Sequence, residues 1–281
     1  MNGPEILKNI KAVIFDLDGT LIDDNDTINE ETKSLIKALS KKDVVFSIAT
    51  GRILSAVTYH ADDLGITAPL ITLDGTLIQR SLDQPVIFQS CLKESTVKRA
   101  LNLADKYLLN AALCHNSAVY FTEDNSSVPE LVEKFGAKYK QVDSYDDYLK
   151  NTLEVILVSD TQKNIKQVAS KMTFPYTFGI KASYYKSNRH GGIYLLEVRN
   201  LKCNKGYGLK RLLKHLKISI NNTAVVGDWY NDKAMFDTEA LKIAVKNAVP
   251  EIKKLADYVT EKSNNDGGVN EFLKMLLDAK S

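Results

Sequence analysis

The chain has 281 residues, 44% of them hydrophobic, and its 37 basic and 35 acidic side chains leave a net charge of only +2. That suffices for one large or two medium domains, and the even mixing of charge excludes an advertised nucleic-acid face or acidic partner. Three widely separated cysteines, Cys91, Cys114 and Cys203, form no Cys-x-x-Cys pair, which argues against a disulfide framework or zinc ribbon and for a reducing, cytoplasmic compartment.

No signal-peptide core opens the sequence and no apolar run approaches the roughly 20 residues that span a bilayer, so no membrane role is expected. A monomer or weak homo-oligomer is the expected state. The histidines His60, His115, His190 and His215 have no metal-ligand spacing and read as surface or interface residues, so any metal would be held by carboxylates.

In chain order, residues 12–15, 44–49, 70–73, 223–226 and 242–245 are short, apolar and rich in β-branched side chains, as buried strands are. Residues 29–40, 54–64, 205–216, 233–238, 250–256 and 269–277 carry apolar side chains at three-to-four spacing and predict helices. The alternation implies an α/β fold, a Rossmann-like doubly wound parallel sheet. Between about residues 82 and 200 the pattern changes. Strands are predicted near 118–121, 154–158 and 193–198, helices near 95–107, 128–135 and 164–171, and most aromatic clusters fall here. This reads as an inserted α+β domain over 83–200, with 1–82 and 201–281 forming the core.

The hexapeptide Leu-Asp-Gly-Thr-Leu-Ile occurs at residues 17–22 and again at 73–78. Only the first copy is preceded by a second acid, giving Asp16-Leu17-Asp18-Gly19-Thr20 at the end of the first predicted strand, where open parallel sheets bind ligands. Strand alternation puts Asp16 and Asp18 on one side, and Gly19 releases the chain into a turn. A hairpin turn is excluded because no alternating strand follows. An EF-hand loop fails at Thr20, Leu21 and Thr27. A pair of solvated acids stays open on this motif alone.

Other strand ends add chemistry. Thr50-Gly51-Arg52 follows the second strand ahead of a predicted helix N-terminus, a place that favours anions, although Thr50 also suits an ordinary cap region. Gly227-Asp228-Trp229-Tyr230-Asn231-Asp232 follows a later strand. Acids from several strand ends around one point need a hard cation to offset their repulsion, and magnesium suits few carboxylates plus phosphate. Lys205, opening a helix, would add charge for a phosphate, though alone it reads as one more surface lysine.

The ordered set Asp16-x-Asp18-Gly19-Thr20, Thr50-Gly51-Arg52, Lys205-Gly206 and Gly227-Asp228-x-x-Asn231-Asp232 resembles the haloacid dehalogenase superfamily, in particular its Cof-type (subfamily IIB) phosphatases with a large C2B cap between the second and third motifs. Residues 246–248 and 264–269 match that group's C-terminal signature, so the resemblance covers nearly the whole chain. It implies Asp16 as the nucleophile that becomes an aspartyl-phosphate and Asp18 as acid and then base. It implies Mg2+ held by Asp16, the Asp18 carbonyl and Asp228, with Asp232 beside them. Phosphate contacts would come from Thr50, Gly51, Lys205, Asn231 and the backbone near Leu17.

The second hexapeptide occupies the place where the family usually carries Asn-Gly-Ala, so Asp74 replaces an asparagine and this copy is a look-alike, not a second active site. Arg52, Asp74 and Arg189, the last in a polar and aromatic loop expected over 184–192, are the candidate substrate-specificity residues. The resemblance implies a magnesium-dependent phosphatase for a small phosphorylated metabolite, sugar phosphates foremost and flavin mononucleotide or pyridoxal phosphate next. A sugar phosphomutase and a non-catalytic phosphometabolite sensor are the alternatives.

Overall fold

The computed structural model describes residues 3–122, 137–186 and 192–281. In chain order α1 (Gly3–Lys8), β1 (Ala12–Phe15), α2 (Glu30–Ser40), β2 (Val45–Ile48), α3 (Thr58–Asp63), β3 (Leu70–Thr72), β4 (Leu77–Gln79) and β5 (Phe88–Gln89) come first. They are followed by α4 (Glu94–Tyr107), β6 (Asn110–Cys114), β7 (Val119–Phe121), β8 (Tyr139–Gln141), β9 (Glu154–Ser159), α5 (Gln162–Lys171), β10 (Ile180–Lys186) and β11 (Tyr194–Asn200). The chain closes with α6 (Lys205–Leu216), β12 (Thr223–Gly227), α7 (Lys233–Phe236), β13 (Leu241–Ala244), α8 (Pro250–Leu255), β14 (Tyr258–Val259) and α9 (Gly268–Ala279). Two compact units result. One comprises Met1–Gly51, Val57–Phe88 and Asn204–Ser281, and the other Arg52–Ala56 and Gln89–Cys203.

The first unit is built on a five-stranded parallel sheet in the order β14-β13-β12-β1-β2. All four residues of β1 are buried because helices cover both of its faces, which is why a parallel strand reads as a continuous apolar run. Ile14 and Val225 face Leu209, Leu212, Met235 and Ile252 from α6, α7 and α8. On the other face Phe15 stacks on Phe46 with ring centroids 6.0 Å apart, and α2 packs against α9. Asn29 caps α2 by accepting a hydrogen bond from the Glu31 amide. The chain leaves β1 toward β2 on one side and returns as β12 on the other, so the crevice at their carboxyl ends is a topological switch point.

The second unit is a six-stranded sheet in the order β10-β11-β9-β6-β7-β8, antiparallel except for the β7–β8 pair. One face is apolar: Val155, Leu157, Leu196 and Val198 pack with Val97 and Ala100 of α4 and Ile165 and Val168 of α5. Strand alternation sends Glu154, Glu197 and Arg199 to the opposite face, where Arg199 pairs with both glutamates and the Tyr185 hydroxyl donates to Glu197 at 2.9 Å.

Several elements depart from the sequence expectation. The helix expected over 54–64 is a 3-10 turn at Leu54–Ala56 followed by the short α3, so no helix N-terminus stands directly behind Thr50. β-branched Val57 and Thr58 fall at the interruption, and Arg52–Ala56 belong with the second unit. His60, expected at a surface, is buried and lies 3.4 Å from an Asp26 carboxylate oxygen. β4, β5, β6, β8, β10 and β14 were not expected; residues 184–186, expected in a loop, complete β10, where they pair with residues 194–196; and the helix expected over 128–135 lies outside the described residues. Among the described residues no helix is long and apolar enough to cross a membrane.

Candidate active site

Asp16 is the first residue beyond β1, and its amide still donates to Val226 O at 2.8 Å, so the β1–β12 ladder fixes where its side chain starts. The chain then turns sharply: Leu17 O accepts from the amides of Leu21 and Ile22 at 3.0 and 3.1 Å. Gly19 makes the turn at φ 76°, and a Cβ there would lie 2.6 Å from Asp228 Oδ2. Glycine is required on both counts. Thr20 then folds under and donates its hydroxyl to Asp228 Oδ1 at 2.9 Å.

Asp228 follows β12 and Asp232 ends the short turn after it. Gly227 makes room for this, since a Cβ there would meet Asp232 Oδ2 at 2.6 Å. Both oxygens of the Asp232 carboxylate are engaged: Oδ2 accepts from the Asp228 and Trp229 amides at 2.9 and 3.0 Å, and Oδ1 accepts from Lys205 Nζ at 2.7 Å. Lys205 is the first residue of α6, behind its N-cap Asn204, and is wholly buried. Its ammonium also bonds Asp16. A lone surface lysine is thereby ruled out, and so is a pair of solvated acids, because Asp16 is 4% exposed.

Asp16, Asp228 and Asp232 bring carboxylate oxygens within 4.8 Å of one another. Burial, and next the charge of Asp232, hold the Asp16 carboxyl well above the usual carboxylate range, with Lys205 offsetting them only in part. Burial and Asp232 likewise push Asp228 up to about 6. Burial would lower the Lys205 ammonium, yet Asp16, Asp232 and Asp74 outweigh it and hold the group above its ordinary value. Three acids against one ammonium leave an excess of negative charge that a divalent ion balances, and the all-oxygen donor set is the kind magnesium takes. The residues fit that ion. Asp18, half-buried beside this set, contributes no carboxylate to it.

The other expected residues of this unit gather about Asp74, whose amide donates to Thr50 O at 2.9 Å. Thr50 is buried at the end of β2, with its amide on Ile71 O at 2.8 Å. Asn231 is exposed, and its side-chain amide donates to Asp74 Oδ1 at 3.1 Å. Gly51 adjoins the same carboxylate, 3.6 Å from where its Cβ would be. The second hexapeptide is the tight turn of the β3–β4 hairpin, with Leu70, Ile71 and Thr72 paired to Gln79, Ile78 and Leu77. Arg52 belongs to the second unit, and Arg189 lies outside the described residues.

Two supports escaped the motif reading. Thr20 braces Asp228, and Asn247 donates to Gly19 O at 2.7 Å while its own oxygen accepts from the Asn264 amide at 3.0 Å. The Asn264 side chain reaches Ile22 O at 3.0 Å. The segments 246–248 and 264–269 were visible as a signature, but what they do is hold the turn that carries Asp18.

Residues 13–273 match the family model of haloacid dehalogenase-like hydrolases. The chain is 27% identical over 261 residues to a 5-amino-6-(5-phospho-D-ribitylamino)uracil phosphatase of Bacillus subtilis, covering 92% of this chain and 93% of that one. It is 26% identical over 271 residues to a phosphoglycolate phosphatase of Methanobrevibacter smithii, covering 96% and 100%. A crystal structure of a haloacid dehalogenase-like hydrolase from Bacteroides thetaiotaomicron superposes with a TM-score of 0.84 at 19% identity, covering 94% of this chain and 98% of that one. The chain belongs to the haloacid dehalogenase-like hydrolase family and is a phosphatase-type enzyme within it.

Proposed function

We propose that the protein is a magnesium-dependent phosphatase acting on a small phosphorylated metabolite, sugar phosphates foremost and flavin mononucleotide or pyridoxal phosphate next, through an aspartyl-phosphate on Asp16. The observation that carries this reading is the buried Asp16–Lys205–Asp232 chain beside Asp228 at the β1/β12 switch point. A carboxylate held there by an ammonium is poised to attack and cannot diffuse from its place.

In the first step an Asp16 oxygen bonds to phosphorus, the ester P–O bond breaks, and Asp18 gives a proton to the departing alkoxide. In the second, Asp18 takes a proton from water as the water oxygen attacks phosphorus, and the acyl-phosphate P–O bond breaks to restore Asp16. Lys205, Thr50, Gly51, Asn231 and the backbone near Leu17 hold the phosphoryl oxygens and offset their developing charge. Asp16, Asp228 and the Asp18 carbonyl would hold magnesium, and Asp232, whose two oxygens are engaged by Lys205 and by two amides, fixes Lys205 and the Asp228 loop. Bound there, the ion supplies charge neutralisation between an anionic nucleophile and an anionic ester.

Substrate selection falls to the second unit, read as the C2B cap, and Arg52, Asp74 and Arg189 are the proposed specificity residues. The three free thiols, two of them buried, support work in the reducing cytoplasm. The test is phosphate release from a panel of sugar phosphates, nucleotides, flavin mononucleotide and pyridoxal phosphate, with magnesium and with excess chelator. Release from a few members that chelator abolishes is expected; no release from any member sinks the reading.

A further inference from the structure

We infer that Asp74, the acid of the second Leu-Asp-Gly-Thr copy, is a positioning residue that fixes the Asn231 amide for the phosphoryl group, an inference that rests on the phosphatase reading above. The hairpin turn between β3 and β4 runs through three consecutive left-handed residues, Leu73 at φ 46°, Asp74 at φ 48° and Gly75 at φ 86°. A leucine in that region is uncommon and costly, so the surrounding structure must impose the shape. The turn is tied by the Asp74 amide and comes close to its neighbours at Gly75, where a Cβ would lie 2.4 Å from Asn204 O, the N-cap residue in front of Lys205. The turn is thus pressed against the start of α6.

That shape gives Asp74 two attachments to groups proposed to hold phosphate. Its amide donates to Thr50 O at 2.9 Å, and its Oδ1 accepts from Asn231 Nδ2 at 3.1 Å. An ionised carboxylate has acceptors only, so it admits the NH2 end of the Asn231 amide and rejects the carbonyl end. One N–H is spent on Asp74, and the other is left with a defined direction for a ligand oxygen. Without Asp74 the exposed amide is free to present either end, and half of its orientations offer a phosphate the wrong atom.

Asp74 also brings negative charge near Lys205, which by itself opposes an anionic ligand. The two effects have opposite signs, and removing Asn231 separates them. The experiment is competitive inhibition by inorganic phosphate, read against magnesium-dependent hydrolysis of a phosphomonoester, in the wild type, Asp74→Ala, Asp74→Asn, Asn231→Ala and the double variant Asp74→Ala/Asn231→Ala. Thermal melts accompany each, and Asp74→Asn suits the left-handed backbone in case the alanine variant misfolds.

Asp74→Ala is expected to weaken phosphate binding roughly fivefold, because the ligand must then select the donor end of the amide, a factor of about two, and order a side chain that Asp74 no longer holds, about another two- to threefold. Asp74→Asn should recover part of the loss, because its carbonyl still accepts from Asn231. In the Asn231→Ala background the Asp74→Ala change should leave phosphate affinity unchanged or tighten it. Equal weakening in both backgrounds, or no weakening when Asn231 is present, overturns the positioning role alone. A wild-type protein that neither hydrolyses the ester nor binds phosphate overturns the phosphatase reading and this inference with it.

Discussion

Replacing Lys205 with methionine tests the electrostatic heart of the site. The ammonium is wholly buried and serves Asp16 and Asp232, which are 4% and 0% exposed. Removing one member of a buried ion pair costs about 3–5 kcal/mol, since it strands a charge away from water. Two features pull the value to the lower end, near 3 kcal/mol: Asp232 keeps two amide donors, and Asp16, whose carboxyl burial already holds high, can take a proton instead. For a unit of this size that lowers the melting temperature by about 6–12 °C. The sign of the pH dependence follows from Asp16. A carboxyl with its folded pKa above the unfolded value binds protons better when folded, so stability is lost as pH rises through the folded pKa. Without Lys205 this penalty grows, and the gap to wild type should widen as pH rises above the usual carboxylate range. The single tryptophan, Trp229, sits on the Asp228 loop and reports melting of this unit by fluorescence, in chelator to keep metal out. An unchanged melting temperature, or a gap that narrows as pH rises, would refute the reasoning.

Gly19→Ala forces a left-handed alanine and a Cβ against Asp228 Oδ2, so magnesium-dependent turnover should fall at least about tenfold and the magnesium needed for half-activity should rise. Asn247→Ala removes the bond to Gly19 O; turnover should drop by about tenfold with a small change in melting, and equal turnover would show that the turn holds itself. In the second unit, burial lowers the His115 pKa against the opposing bond to Tyr148 O. A base depressed in the folded state contributes stability that is present above its unfolded pKa and lost as pH falls through the folded one. His115→Asn should therefore flatten the acid limb of that unit's melting curve, as calorimetry at a series of pH values below about 7 would show.

Much of the first unit is legible in the sequence because its strands are buried on both faces and its helices carry one apolar stripe. Residues 12–15 and 205–216 come out with the bounds the structure has. β10 is not legible: Ile180–Lys186 mixes lysine, serine and tyrosine, since it lies at the edge of its sheet with one face polar. The β3–β4 hairpin is hidden because its turn residues are those of the first hexapeptide, and the contacts of the left-handed turn, Asp74 with Thr50 and Gly75 with Asn204, join residues far apart in sequence. In the site, Lys205, alone one more surface lysine, enters only with the family resemblance, whereas the acids can be read from strand ends. The braces cannot. Thr20 meets Asp228, and Asn247 meets Gly19, across most of the chain's length, and hydrogen bonds between such distant residues leave no local pattern. The Asp74–Asn231 bond is of the same kind.

The most direct test of the proposed chemistry compares phosphate release by the wild type and Asp16→Asn on the same substrate in magnesium, with the thermal melt of each recorded beside it. The amide is nearly isosteric with the carboxylate but cannot attack phosphorus, so turnover should vanish while the variant stays folded, and acid-quenched wild type should carry hydroxylamine-labile phosphate on Asp16. Turnover by Asp16→Asn at the wild-type rate would contradict a nucleophilic Asp16 and the mechanism built on it.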